Sequence, residues 1–222
     1  DGTNDYLSRS SDLIGNADSK TFTFSAWVYI DSSASGGYVL NLGGGTGGQR
    51  AFDVYFANSF KRMQFVAYNS AGTQIGRGHL VDNSITYNTW YNVLFSIDLA
   101  NTSNRYFYLN DVDLTSSVVW NIYTNDTINF AGSTEHYIGV YDAGVTGEWL
   151  GRLAGVYLDY TYRDLSVESN RRDFIDADGL YVTPPTSGII SIPMDDAADP
   201  GRNDGTGGDF TLNGVVARSN RG

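Results

Sequence analysis

Ten consecutive residues, TFTFSAWVYI at 21–30, alternate without a break. Phe22, Phe24, Ala26, Val28 and Ile30 fall on one side. Thr21, Thr23, Ser25, Trp27 and Tyr29 fall on the other. A period of two over this length, in β-branched and aromatic residues, predicts a β-strand. Large rings on the polar side, at Trp27 and Tyr29, place the strand in the middle of a sheet. One face would pack on a second sheet, and the other would meet a loop or form a broad open surface.

The same alternation returns along the chain, and strands are expected over 38–42, 51–57, 61–68, 73–80, 90–98, 105–109, 118–122, 127–130, 136–141 and 149–162. Gly151 and Gly155 inside the last of these predict a bulge or a close backbone approach. Turn chemistry separates the runs, as in Asp31–Gly37, Asn69-Ser-Ala-Gly72 and Asn110-Asp111. The glycine-rich stretch GGGTGGQ at 43–49 lacks the Gly-Lys-Ser/Thr ending and following helix of a phosphate loop. One helix is expected over 166–175, with Ser166 as N-cap and Glu168 in its first turn. Leu165, Val167, Phe174 and Ile175 would touch the sandwich, while Arg171, Arg172 and Asp173 would face water. Two further strands, 189–194 and 210–216, are too few to build a core of their own and are expected to pair back. The reading is a single all-β domain over 1–222, a sandwich of two antiparallel sheets with a core at 1–175 and an extension at 176–222.

At 222 residues the chain can bury a sizeable core without a metal or a disulfide, and it has no Cys to supply a thiolate ligand or nucleophile. Its formal charge is -11, from 14 basic and 25 acidic residues. That balance argues against nucleic-acid partners and an anionic membrane surface. No apolar run approaches the roughly 18 residues that cross a bilayer. The chain opens at Asp1 with no Met, as a cut or processed product would, so the lack of a signal peptide carries no weight.

Several stretches in order carry a resemblance. DGTNDYL (1–7), FTFSAWVYI (22–30), TWYNVLFSID (89–98), RYFYLNDVDL (105–114), HYIGVYDAG (136–144) and LGRLAGVYLDYTYRDLSVE (150–168) together resemble the laminin-G-like jelly-roll group of the concanavalin A-like lectin/glucanase superfamily. The resemblance implies a jelly-roll β-sandwich. The tail, RRDFIDADGLYV (171–182) with IISIPMDDAADP (189–200) and GTGGDFTLNGVV (205–216), looks like laminin-G-like proteins of tailed bacteriophages and prophages. That likeness implies a place on the virion.

Glucanases of this fold set two Glu on one strand in a Glu-x-Asp-x-Glu or Glu-x-Asp-x-x-Glu run, so that both carboxyls flank a sugar bond. The three Glu here, Glu135, Glu148 and Glu168, are far too dispersed for such a run. Asp111 and Asp113 could share a strand face, but they read more simply as turn residues. His79 and His136 lie inside strand-like runs, and neither a zinc pattern nor an EF-hand spacing is present. Relatives implied by the resemblance often hold calcium in rim loops. The loops that could supply its oxygen ligands are Asn110, Asp111 and Asp113, and Asp142 after the Ile138-Gly139 pair; Asp195, Asp196 and Asp199 form another acidic cluster.

The aromatic surplus, 16 Tyr and four Trp, suits binding without catalysis. Trp90, Tyr91, Tyr157, Tyr160 and Tyr162 are the candidate ligand-binding residues. Such a stripe serves a glycan groove or a contact between subunits equally well. The function expected is a non-enzymatic virion surface or tail-associated protein of a bacteriophage, decorating the particle or aiding host-surface attachment. Its partners would be other virion proteins, copies of itself and a cell-surface glycan. The alternative is a calcium-assisted carbohydrate- or protein-binding module of a secreted bacterial protein, located outside the cell. A polysaccharide hydrolase using an Asp pair is the third reading.

Overall fold

The computed structural model describes residues 4–44 and 50–215. Most of the glycine-rich stretch, the opening Asp1-Gly2-Thr3 and the last residue of the expected strand 210–216 lie outside them. Fourteen strands are formed among the described residues: β1 (Tyr6–Arg9), β2 (Thr21–Ile30), β3 (Gly37–Leu42), β4 (Phe52–Ala57), β5 (Arg62–Tyr68), β6 (Gln74–His79), β7 (Trp90–Asp98), β8 (Arg105–Leu109), β9 (Val112–Asp113), β10 (Val119–Tyr123), β11 (His136–Ile138), β12 (Gly151–Asp159), β13 (Ile190–Ile192) and β14 (Thr211–Asn213). They make an eight-stranded sheet, β10-β6-β5-β4-β3-β11-β1-β14, and a six-stranded sheet, β13-β12-β2-β7-β8-β9. Every neighbouring pair is antiparallel. This is an all-β, concanavalin A-like jelly-roll sandwich.

The alternation of β2 explains the layering. Its five apolar residues are buried between the sheets, where Phe22 meets Phe52 at 4.7 Å and Phe65 at 5.4 Å from the opposite layer. Burying rings of this size removes much apolar area from water, at about 25 cal/mol per Å². β2 lies inside its sheet, between β12 and β7. The tail closes both edges: β13 pairs with β12, β14 pairs with β1, and Ile189, Ile190, Ile192 and Phe210 join the core.

Two local expectations, the helix over 166–175 and the strand over 127–130, are corrected, and the bulge expected at Gly155 is found. The helix over 166–175 shrinks to one turn, α1 (Glu168–Arg171), capped by Val167 without a side-chain hydrogen bond. Asp164 accepts both the N–H and the hydroxyl of Ser166, which takes that serine out of the capping role. Leu165 and Phe174 instead cover Tyr157, Leu94 and Tyr108 on the outer face of the six-stranded sheet and form a second, smaller core. Val167 points to solvent, and Arg171 and Arg172 are held in ion pairs rather than facing water. Residues 127–130 form no strand; Ile128 makes a single bridge to Ser19, and a 3-10 turn follows at Phe130–Gly132. In β12 the register shifts between Ala154 and Tyr157, where Gly155 has φ +57. A Cβ there would sit 2.7 Å from the Tyr181 ring, so both a positive φ and a close approach call for glycine.

Candidate functional site

The outer face of the eight-stranded sheet carries a group of stacked tyrosines beside a buried polar network. Antiparallel register aligns its outward residues in two rows. One row runs Tyr38–Tyr55–Gln64–His79 across β3, β4, β5 and β6. The next runs Ser8–Tyr137–Asn41–Asp53–Val66–Arg77 across β1, β11, β3, β4, β5 and β6. These strands turn Leu42, Phe52, Val54, Phe56, Met63 and Phe65 inward, so period two sends the polar and aromatic alternates out.

The first row is built on rings. Tyr38 stacks on Tyr55 at 4.9 Å and leans on Tyr141 at 4.8 Å. The loop 141–148 reaches Tyr38 through Gly147, whose carbonyl accepts the Tyr38 N–H at 3.0 Å. A Cβ on Gly147 would lie 2.8 Å from the ring, and its φ is +62, so only glycine lets the loop rest there. Beside the rings lies a cavity of about 390 Å³, lined by Gly37, Tyr38, Tyr55, Asn58, Glu148 and Leu150 among others. Among the described residues Glu148 is the one carboxylate in that lining. Burial pushes the phenols of Tyr38, Tyr55 and Tyr68 up, so they stay protonated and can donate hydrogen bonds.

The second row holds a buried polar network. Asp53 is fully buried, ion-paired to Arg50 and bonded by Asn41. Arg50 lies over the Tyr68 ring at 4.7 Å and the Tyr141 ring at 5.1 Å. Burial pushes the Asp53 carboxyl up to about 6, against the opposing pull of Arg50 and Asn41. Four buried side-chain atoms on this one face find no hydrogen-bond partner among the described residues: Arg50 Nε, Arg62 Nε, Gln64 Oε1 and Arg77 Nε. Buried polar groups are ordinarily paired, within the protein or by ordered water.

The aromatic residues singled out from the sequence do not converge. Trp90 is half-buried on the outer face of the other sheet, against Tyr29 at 5.6 Å. Tyr91 packs on the core and accepts the Thr86 N–H. Tyr157 is wholly buried beneath Phe174, which corrects its assignment to an open stripe. Tyr160 turns inward, stacked on Phe130 at 4.0 Å with its hydroxyl on Asn16. Tyr162 stacks on Tyr106 at 6.4 Å. The residues missed, Tyr38, Asp53, Tyr55, Gln64 and Arg77, are the outward alternates of apolar strands. Their polarity was a signal, but their alignment lies in register alone.

The expected calcium ligands at the β8–β9 turn do not fit a cation. Asn110 Oδ1 accepts the Asn92 N–H at 2.8 Å, and Asp113 accepts the Thr115 N–H at 2.8 Å. The Asp111 carboxylate is gripped by Arg171 and Arg172. Burial raises its pKa, but hydrogen bonds from Arg172 and Arg171 outweigh that and hold it below the ordinary carboxylate range. Asp142 keeps a buried Oδ1 without a partner, yet no group of three or more His, Asp or Glu that could hold a metal occurs among the described residues. Replacing Asp111 by Ala is expected to lower the unfolding free energy by about 1–2 kcal/mol, because two partly buried guanidinium groups lose their counter-charge. Urea titration checks this. A native melting temperature that rises with calcium and falls with chelator would restore the turn as a metal site.

The chain belongs to the concanavalin A-like lectin/glucanases superfamily, whose laminin G family model matches residues 1–161. No curated protein matches it. Among solved structures it is similar to a candidate carbohydrate-binding protein of Bacteroides ovatus, with 14% identity and a TM-score of 0.57, over 87% of this chain and 52% of that one. It is also similar to the enzymatically active domain of tailspike protein 2 from bacteriophage CBA120, with 12% identity and a TM-score of 0.52, over 86% of this chain and 28% of that one. The chain thus spans about half the length of the first and less than a third of the second. At these identities the likeness is one of fold. Among the described residues no helix is long and apolar enough to cross a membrane.

Proposed function

We propose that the protein is a carbohydrate-binding module whose site is the Tyr38–Tyr55 ring pair and the cavity beside it. One observation carries this reading: the stacked rings of Tyr38 and Tyr55 border a cavity of about 390 Å³ on an outer sheet face. Ring faces offer apolar area to the C–H side of a sugar, and the protonated phenols of Tyr38 and Tyr55 can donate to its hydroxyls. The fold likeness to the Bacteroides ovatus protein is compatible with this reading. Among the described residues Glu148 is the single carboxylate of the cavity lining, which supports binding rather than glycoside hydrolysis, a reaction that ordinarily uses a pair. Calcium has no part in the site proposed.

A glycan array followed by titration calorimetry tests this. Tyr55→Ala is expected to weaken the best saccharide about tenfold or more, and Trp90→Ala on the opposite sheet to leave it unchanged. Loss of binding in Trp90→Ala with none in Tyr55→Ala would move the site to the other face. A folded protein that retains no saccharide on the array would end the reading. A virion setting is a second proposal, resting on the phage-like resemblance of 171–216, and particles from the natural source that lack the chain would remove it.

A further inference from the structure

One guanidinium on this face has no carboxylate partner among the described residues. The protein carries -11 overall, yet Arg50, Arg62 and Arg77 project from the same sheet surface. Arg50 is matched by Asp53, and Arg62 by Asp82 at 2.6 Å. Arg77 is matched by none of the described residues. It is only half-exposed, its Nε is buried without a partner, and its cross-strand neighbours are Val66 and Ile122, which carry no charge. Its charge reaches Tyr55 in the ring row. Gln64, 3% exposed with an unsatisfied Oε1, lies between Tyr55 and His79 on adjoining strands, two residues from the Val66 that faces Arg77.

A guanidinium drawn partly out of water without a counter-ion is costly, and a chain with 25 acidic residues had ample means to supply one. We propose that the glycan-binding face inferred above takes an acidic saccharide, with its carboxylate or sulfate seated on Arg77. The planar fork of Arg77 can give two parallel charge-assisted hydrogen bonds to either anion. The tyrosines hold the ring, and Arg77 selects its charge. The proposal rests on the carbohydrate-binding reading.

The test uses matched probes on the full chain: galacturonate against galactose oligosaccharides of equal length, and dextran sulfate against dextran. The acidic member of at least one pair is expected to bind about tenfold tighter or more, and Arg77→Gln to abolish that preference while the neutral member binds as before. Which pair shows the preference separates carboxylate from sulfate. Equal binding of acidic and neutral members, or a preference untouched by Arg77→Gln, overturns the proposal while leaving the module reading intact. Loss of all saccharide binding by the folded native protein would instead overturn the module reading and this proposal with it. Should Arg77→Gln fail to fold, the native protein decides. A preference that fades between about 50 and about 500 mM NaCl supports the ion pair, and one indifferent to salt refutes it.

Discussion

Phe95→Ala is expected to lower the unfolding free energy by about 3–5 kcal/mol, a large share of the 5–15 kcal/mol typical of a domain. Phe95 is fully buried at the centre of the aromatic core. It stacks on Phe24 at 4.9 Å within its own sheet and lies 4.9 Å from Phe107 on the other flank. It also stacks on Phe65 of the opposite sheet at 5.4 Å and meets Phe22 edge-on at 6.0 Å. Truncation removes the transfer energy of the ring and leaves a void that four rigid neighbours cannot fill by collapsing. Phe65 stands next to Gln64 on β5, so loosening the core also loosens the binding face behind it. Urea denaturation with an unchanged slope reads the effect. Ile14→Ala, at an exposed position, is the control and should cost within about 0.5 kcal/mol. A loss below about 1 kcal/mol for Phe95→Ala would mean that the two sheets do not meet through this residue.

The second large effect is a pair of opposite pH dependences. Burial pushes the Asp53 carboxyl from 3.8 up to about 6, so the folded chain holds a proton that the unfolded chain has lost. Asp53 therefore adds stability as pH falls from about 6 towards 4, and this gain is lost as pH rises. Burial pushes the His136 imidazole the other way, from 6.5 down to about 4; it is fully buried, with Nδ1 beside the Ser133 hydroxyl. The unfolded chain then takes up the proton first, and stability is lost as pH falls from about 6.5 towards 4. Each shift corresponds to about 3 kcal/mol. Relative to the native protein, Asp53→Asn should become less stable by about that amount between pH 7 and pH 4, and His136→Gln should become more stable by a similar amount. Differences from the native protein cancel the other titrating groups. Urea midpoints at the two pH values supply the numbers, and same-sign trends in the two variants would contradict the burial of one of them.

The phenylalanines on the inward side of β2, β5 and β7 were legible because each lies on a run whose alternation names its face. The binding row was not, although its members are visible as polar alternates. Tyr38, Tyr55, Gln64 and Arg77 become neighbours only when β3, β4, β5 and β6 pair in one register, which the bulge between Tyr38 and Leu40 helps to set. The misplaced candidates show the converse. Tyr157 points outward as its position predicts, but Phe174, 17 residues further on, folds over it at 5.0 Å. Asp111 sits in an exposed-looking turn, but Arg171, 60 residues away, reaches it.

Local periodicity and turn chemistry determined the two-layered β architecture and which side of each strand faces the core, because these depend on the two-residue repeat of an extended backbone. Tertiary structure alone decided which outward rings stay open, which carboxylates are already neutralised and which guanidinium groups are left without one. Those outcomes depend on where distant segments land, and a side chain's chemical type carries no record of what will come to lie beside it.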